Sequence, residues 1–203
     1  MTEKIIGVLP DFEIKRLCLE RSMITPFVDH SVSEVTLIEH EQYTSPKKKV
    51  VSYGLSSFGY DVRLSHSFQI FTNVAGGVVD PKHPDPTQWV DIHAEICQIP
   101  PNGFIRASTL ETFIIPKDIC GECLGKSTYA RCGVHVTVTP LEPGWRGTLT
   151  LKIHNGTPLP ALVYGGEGIC QIKFERAAAR PDVTYADRDG KYQGQRGITP
   201  PIV

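Results

Sequence analysis

Between Gly125 and Gly133 the chain runs Gly-Lys-Ser-Thr-Tyr-Ala-Arg-Cys-Gly, which sets Lys126, Ser127, Thr128 and Arg131 between two glycines. Cationic and hydroxyl donors beside the N–H groups of a glycine-flanked loop are what a polyphosphate needs. The alternating stretch from Val134 to Thr139 follows at once and can offer backbone edges to a base. The same composition also suits a solvated turn. A Walker A loop is disfavoured, because Cys120 stands where its first glycine belongs.

A metal is the second chemistry to weigh. His93-Ala94-Glu95 and Cys120-Gly121-Glu122-Cys123 mimic the H-x-E and C-x-x-C pieces of zinc-dependent cytidine deaminases. Ile119 precedes Cys120 where that class has proline, and both segments read as strand or turn and not as helix starts, so no zinc is expected.

Positioning these groups requires short strands. Sixteen prolines and eighteen glycines cut the chain into pieces that mostly alternate apolar and polar residues. Strands are predicted at Tyr60–Leu64, Phe68–Thr72, Phe104–Thr109, Val134–Thr139, Thr148–His154 and Gly168–Phe174, with turns at Pro100–Gly103 and Glu142–Gly144. One amphipathic helix is predicted over residues 11–22, capped by Asp11, with Ile14, Leu17, Cys18 and the Arg21 stem on one face. Many short strands without βα alternation predict a mainly β fold, a barrel or jelly roll with an N-terminal helix. In Thr148–His154 the period of two sets Leu149, Leu151 and Ile153 against Thr148, Thr150, Lys152 and His154. His135, Thr137 and Thr139 likewise share one face and Val134, Val136 and Val138 the other.

At 203 residues, 40% of them hydrophobic and 21% charged, the chain can bury one core as a single domain spanning residues 1–203. A net charge of −1 gives no footprint for long nucleic acid, and Lys47-Lys48-Lys49 reads as a solvated turn. The first residues lack a signal peptide's apolar core and no long apolar run exists, so a cytoplasmic protein away from membranes is expected. In that reducing compartment most of the six cysteines are expected to be small buried hydrophobes.

Several separated motifs carry a resemblance. These are Ser52-Tyr-Gly-Leu-Ser-Ser-Phe-Gly-Tyr-Asp61-Val-Arg63, Phe71-Thr-Asn-Val74 through Val79-Asp-Pro81, the run Cys123 to Gly133, Val136-Thr-Val-Thr-Pro-Leu-Glu-Pro-Gly-Trp145-Arg-Gly147 and Gly190-Lys191-Tyr192-Gln193-Gly194-Gln195. In this order, over most of residues 50–200, they resemble the dCTP deaminase family of the trimeric dUTPase superfamily. The resemblance implies a distorted dUTPase-like jelly roll, homotrimers with sites between subunits, and a hydrolase of nucleotide metabolism that turns dCTP and water into dUTP and ammonia. It implies magnesium carried by the triphosphate, no zinc, and dTTP as a candidate inhibitor. By resemblance, Lys126, Ser127 and Arg131 meet the triphosphate, Thr128 belongs to the nucleotide-binding set, and Ser127 and Arg131 are also at the reacting centre. The Val136 and Val138 backbone reads the cytosine edge, Glu142 lies beside the deoxyribose, and Tyr185, Lys191 and Gln195 belong to a C-terminal lid over residues 175–203.

One position departs from the family. Its catalytic glutamate, in a leucine-glutamate pair after the Pro-Gly-Trp turn, corresponds here to Lys152. Deamination needs a group that takes a proton from water and passes it to the base and leaving amine, and lysine near its reference pKa of about 10.4 is a cation at neutral pH. Three readings stay open: a desolvated Lys152 beside Arg131 or another cation, a nucleotide-binding homologue without turnover, or chemistry moved to Glu142 as a dUTPase-like triphosphate hydrolysis. His135 and His154 are further candidates for a displaced base.

Overall fold

A computed structural model describes residues 4–37, 47–73 and 76–203. In chain order the elements are β1 (Gly7–Val8), α1 (Asp11–Arg21), β2 (Ile24–Thr25), β3 (Ser31–Thr36), β4 (Lys47–Ser56), β5 (Gly59–Phe71), β6 (Trp89–His93), β7 (Ile96–Ile99), β8 (Phe104–Ile114), β9 (Ile119–Gly125), α2 (Ser127–Ala130), β10 (Val134–Thr137), β11 (Arg146–Asn155), β12 (Ala161–Tyr164) and β13 (Gly168–Arg176). The fold is mainly β with an N-terminal helix, as alternation and turn residues predict.

Eleven strands form one curled sheet along the path β1-β13-β5-β8-β11-β10, and β7 and β12 form a separate pair. The long strand β5 makes the curl. Its first residues pair with β13 and β4, and beyond an irregularity between Leu64 and Phe68 it pairs with β8 and β6. The two strands predicted over residues 60–72 are therefore one, because Ser65, His66 and Ser67 bend the strand without ending it. The concave side is filled by Tyr60, Phe68, Phe113 and Phe174, all fully buried. Burial of such side chains contributes roughly 1.5–3 kcal/mol each.

Helix α1 lies where predicted and buries Ile14, Leu17 and Cys18. Two details differ. Pro10 is the capping position, and the Asp11 carboxylate accepts only the neighbouring Phe12 N–H; the Arg21 stem is exposed. Glu13 is also buried, because Arg16 and Arg176 bond its carboxylate at 2.8 and 2.7 Å. The Arg16 guanidinium, with Arg176 behind it, holds that carboxyl down at about 2 against the opposing effect of burial.

Strand β10 ends at Thr137, short of the predicted Thr139, because Pro140 cannot donate to a ladder. Lys47-Lys48-Lys49 opens β4 and is no turn; Lys47 and Lys48 lie near Glu34 and Glu167 at 3.7 and 3.2 Å. Strand β13 runs to Arg176, so the C-terminal segment starts at Ala177 and not at residue 175. Of the cysteines, Cys18, Cys97 and Cys170 are buried, Cys123 is half-buried, and Cys120 and Cys132 are exposed; all are free thiols. Within the motif Phe71–Val74, Val74 lies outside the described residues. Among the described residues, no helix is long and apolar enough to cross a membrane.

Candidate functional site

A cleft of about 800 Å³ opens on the outer face of the sheet where β10 and β11 meet the C-terminal segment. The period of two, as the alternation predicts, turns Leu151 and Ile153 into the core and leaves Thr150 and Lys152 facing the cleft, while Leu149, buried with them, also borders it. Thr137 of β10 and Arg106 of β8 flank Lys152 as its register partners. Strand β10 is the last strand of its path. A terminal strand keeps one row of backbone N–H and C=O groups for another partner. Thr137 and Val138 reach the cleft from that strand and the turn beyond it, while Val136 packs against the core.

The far wall is built by the turn Glu142–Gly144 and the C-terminal segment. The Trp145 N–H bonds back to the Glu142 carbonyl at 3.1 Å, closing the turn, and the Glu142 carboxylate is ion-paired with Arg188. The indole N–H of Trp145 donates to the Tyr192 carbonyl at 2.9 Å, and the Tyr192 N–H donates to the Tyr185 hydroxyl at 3.0 Å. Gln195 is pinned to β11 by both ends: its side-chain amide donates to the Thr148 carbonyl at 2.6 Å, and its own carbonyl accepts the Thr148 N–H at 3.1 Å. Gly147 permits this approach. Its φ is +143°, and a Cβ there would lie 2.7 Å from the Gln195 carbonyl oxygen. The Thr150 hydroxyl then accepts the Thr199 N–H at 3.0 Å, so the segment crosses β11 and borders the cleft with Thr199, Pro200 and Pro201.

Of the residues singled out by sequence, the cleft gathers Val138, Glu142, Lys152, Tyr185 and Gln195. The glycine-flanked run and Lys191 lie apart from it. Ser127–Ala130 form one helical turn where a loop was expected, and Ser127, Thr128 and Arg131 are exposed. The first N–H groups of a helical turn have no partner inside it, so the Ser127 and Thr128 hydroxyls stand beside free backbone donors. Arg131 folds back to donate to the Ser127 carbonyl at 3.2 Å. Lys126 is buried, with its ammonium 2.6 Å from the Asp61 carboxylate. That pair locks the start of the turn onto β5. Lys191 is exposed.

Lys152 is exposed in the single chain, and its register neighbour is Arg106, not Arg131. His135 and His154 are register partners on the same strands, with ring centroids 6.5 Å apart, and neither borders the cleft. The zinc-like pieces do not converge: among the described residues, no group of three or more His, Cys, Asp or Glu side chains could hold a metal ion. Sequence reasoning missed Arg106, whose guanidinium lies 3.5 Å over the Trp89 ring. Its one sequence signal was an arginine on the outer face of the predicted strand Phe104–Thr109, and only the pairing of β8 with β11 brings it to Lys152.

The family model described as dCTP deaminase-like matches residues 8–177. The chain is 49% identical to a dCTP deaminase of Herpetosiphon aurantiacus over 198 residues, covering 98% of this chain and 100% of that one. It is 50% identical to a dCTP deaminase of Erythrobacter litoralis, covering 97% and 99%. Among solved structures, a 2'-deoxycytidine 5'-triphosphate deaminase from Agrobacterium tumefaciens shares the fold, with a TM-score of 0.59 at 15% identity; the match covers 86% of this chain and about half, 49%, of that one.

Proposed function

The chain belongs to the dCTP deaminase-like family, and from that premise we propose that it is a hydrolase that replaces the 4-amino group of dCTP by water, yielding dUTP and ammonia. The observation that carries this reading is an identity near one half over almost the whole length of several dCTP deaminases. The cleft supplies matching chemistry. The open backbone of Thr137 and Val138 meets a planar ring edge with donors and acceptors, Trp145 and Leu149 give apolar walls, and Glu142 with Tyr185 offers polar groups to a sugar.

The triphosphate goes to the Gly125–Gly133 run, where Ser127, Thr128 and Arg131 are exposed to receive it. Lys126 acts through Asp61, holding the turn in place and lending its charge from below. Because the run does not border the cleft of its own chain, one nucleotide takes its base from one copy and its phosphates from another. That separation supports sites between subunits; their number, three, is what the resemblance to the family implies. Magnesium arrives on the triphosphate, since a triphosphate binds the ion in its own oxygens and the described residues gather no carboxylate cluster for it. The C-terminal segment, bordering the cleft through Gln195 and Thr199, keeps water from the ring except at the reacting face.

Lys152 sets the rate. A water attacking C4 must lose a proton, and a lysine ammonium has no lone pair with which to accept it. The native chain therefore binds dCTP well and turns it over slowly, with dCTP supplied for the dUTP branch of deoxynucleotide synthesis. Titration calorimetry tests the binding half: dCTP with magnesium binds in the micromolar range, deoxycytidine lacking phosphates binds far more weakly, and the absence of heat at millimolar dCTP contradicts the reading.

A further inference from the structure

Lys152 and Arg106 face each other across β11 and β8, and both border the cleft. Like charges directly opposite in an antiparallel pair repel, so such a pair ordinarily has a carboxylate beside it to relieve the repulsion. Here the candidates are engaged elsewhere. Asp91 comes next in the same cross-strand row, after Gln69; its carboxylate accepts the Gln69 amide at 2.8 Å and acts on Arg106 through space without forming an ion pair with it. Glu142, on the opposite wall, is paired with Arg188. Among the described residues Lys152 has no ion pair, and its ammonium lies 5.4 Å from the centre of the Phe104 ring. Arg106 is held by the Trp89 ring on its face, and its Nε is buried with no hydrogen-bond partner. A guanidinium covered on one face keeps its N–H edge for an acceptor.

We propose that Lys152 and Arg106 form a binding site for a phosphate-class oxyanion within the cleft. Both side chains only donate, and both carry charge, so the group they recognise has acceptor oxygens on all sides and negative charge. A cationic group finds only donors and like charge there. Thr137, the other register partner of Lys152, brings a hydroxyl to the same point. The site stands apart from the Gly125–Gly133 run but lies in the cleft that the dCTP reading gives to the base, so an oxyanion held there and the base exclude one another. Its occupant is the free ion or the phosphate of a nucleotide, and the same two cations serve either.

The test is a thermal-unfolding titration of the full chain with sodium phosphate against sodium chloride at matched ionic strength, without nucleotide. Phosphate raises the midpoint saturably beyond chloride. Lys152→Met and Arg106→Met each weaken that response about tenfold or more. Lys152→Met without phosphate at low salt unfolds at the same temperature as the native chain or higher, because the repulsion is gone; a lost response in that variant is therefore loss of the site and not of the fold. Equal responses to phosphate and chloride, or a Lys152→Met chain that still responds as the native one does, overturn the proposal. Adding deoxyribose 5-phosphate, which has no base to enter the cleft, then separates the sources: competition with phosphate identifies a sugar phosphate of the nucleotide type as the occupant, and simultaneous binding identifies the free ion, either of which fits the site.

Discussion

Lys152→Glu raises kcat/KM for dCTP deamination by about 10²- to 10⁴-fold, the range that a positioned general base contributes. The position is prepared for a carboxylate. Residue 152 faces the cleft between Thr137 and Arg106, and the guanidinium opposite would keep a glutamate ionised and ready to accept a proton. The substitution costs the fold little, since it replaces a like-charge cross-strand pair by an opposite-charge one, worth roughly 0.2–1 kcal/mol in favour. Lys152→Gln separates the two effects of the change: it removes the repulsion but supplies no base, so it leaves the rate near that of the native chain. Steady-state ammonia release on the three proteins measures this. Equal rates in all three place the base elsewhere, and Glu142 is then the carboxylate to change next, because it borders the same cleft.

The second large effect concerns the division of the site between copies. Arg131→Ala removes an exposed cation from the helical turn after β9, and Glu142→Ala removes the carboxylate of the opposite element, at the cleft. Made in the Lys152→Glu background, each loses activity by about 10²-fold, the scale of a charge-assisted phosphate contact or of a lost positioning group. Mixed one to one and reassembled, they regain about one quarter of the sites in a closed symmetric ring, because a site is whole when its run and its cleft both come from unsubstituted halves. Activity in the mixture no higher than the mean of the two parents means that run and cleft of the same chain serve one nucleotide.

The chain's local patterns were readable because they depend on neighbours in sequence. Helix α1 follows from the spacing of Ile14, Leu17 and Cys18, and the inward set Leu149, Leu151 and Ile153 follows from strict alternation in β11. The turn at Glu142–Gly144 follows from its Pro-Gly pair. What escaped depends on distant partners. The pairing of Lys126 with Asp61, across sixty-five positions of sequence, turned a presumed phosphate ligand into an anchor for the turn that carries Ser127 and Thr128. Residues 127–130 gave no helical periodicity because a single turn is too short to show one. Arg106 and Lys152 became neighbours only through the register of β8 on β11, which long-range strand pairing sets and local propensity does not. The family motifs supplied the ligand class that neither source of pattern contains, and the geometry then located Glu142, Tyr185 and Gln195 around one cleft while leaving Arg131 and Lys191 outside it.

The most direct measurement is the identity of the products formed from dCTP and magnesium by the native chain at long incubation. The expected products are dUTP and ammonia in equal amounts, slowly formed and accelerated by Lys152→Glu, with the triphosphate intact. Deoxycytidine monophosphate with pyrophosphate, or dCTP that is bound and recovered unchanged from both proteins, contradicts that expectation.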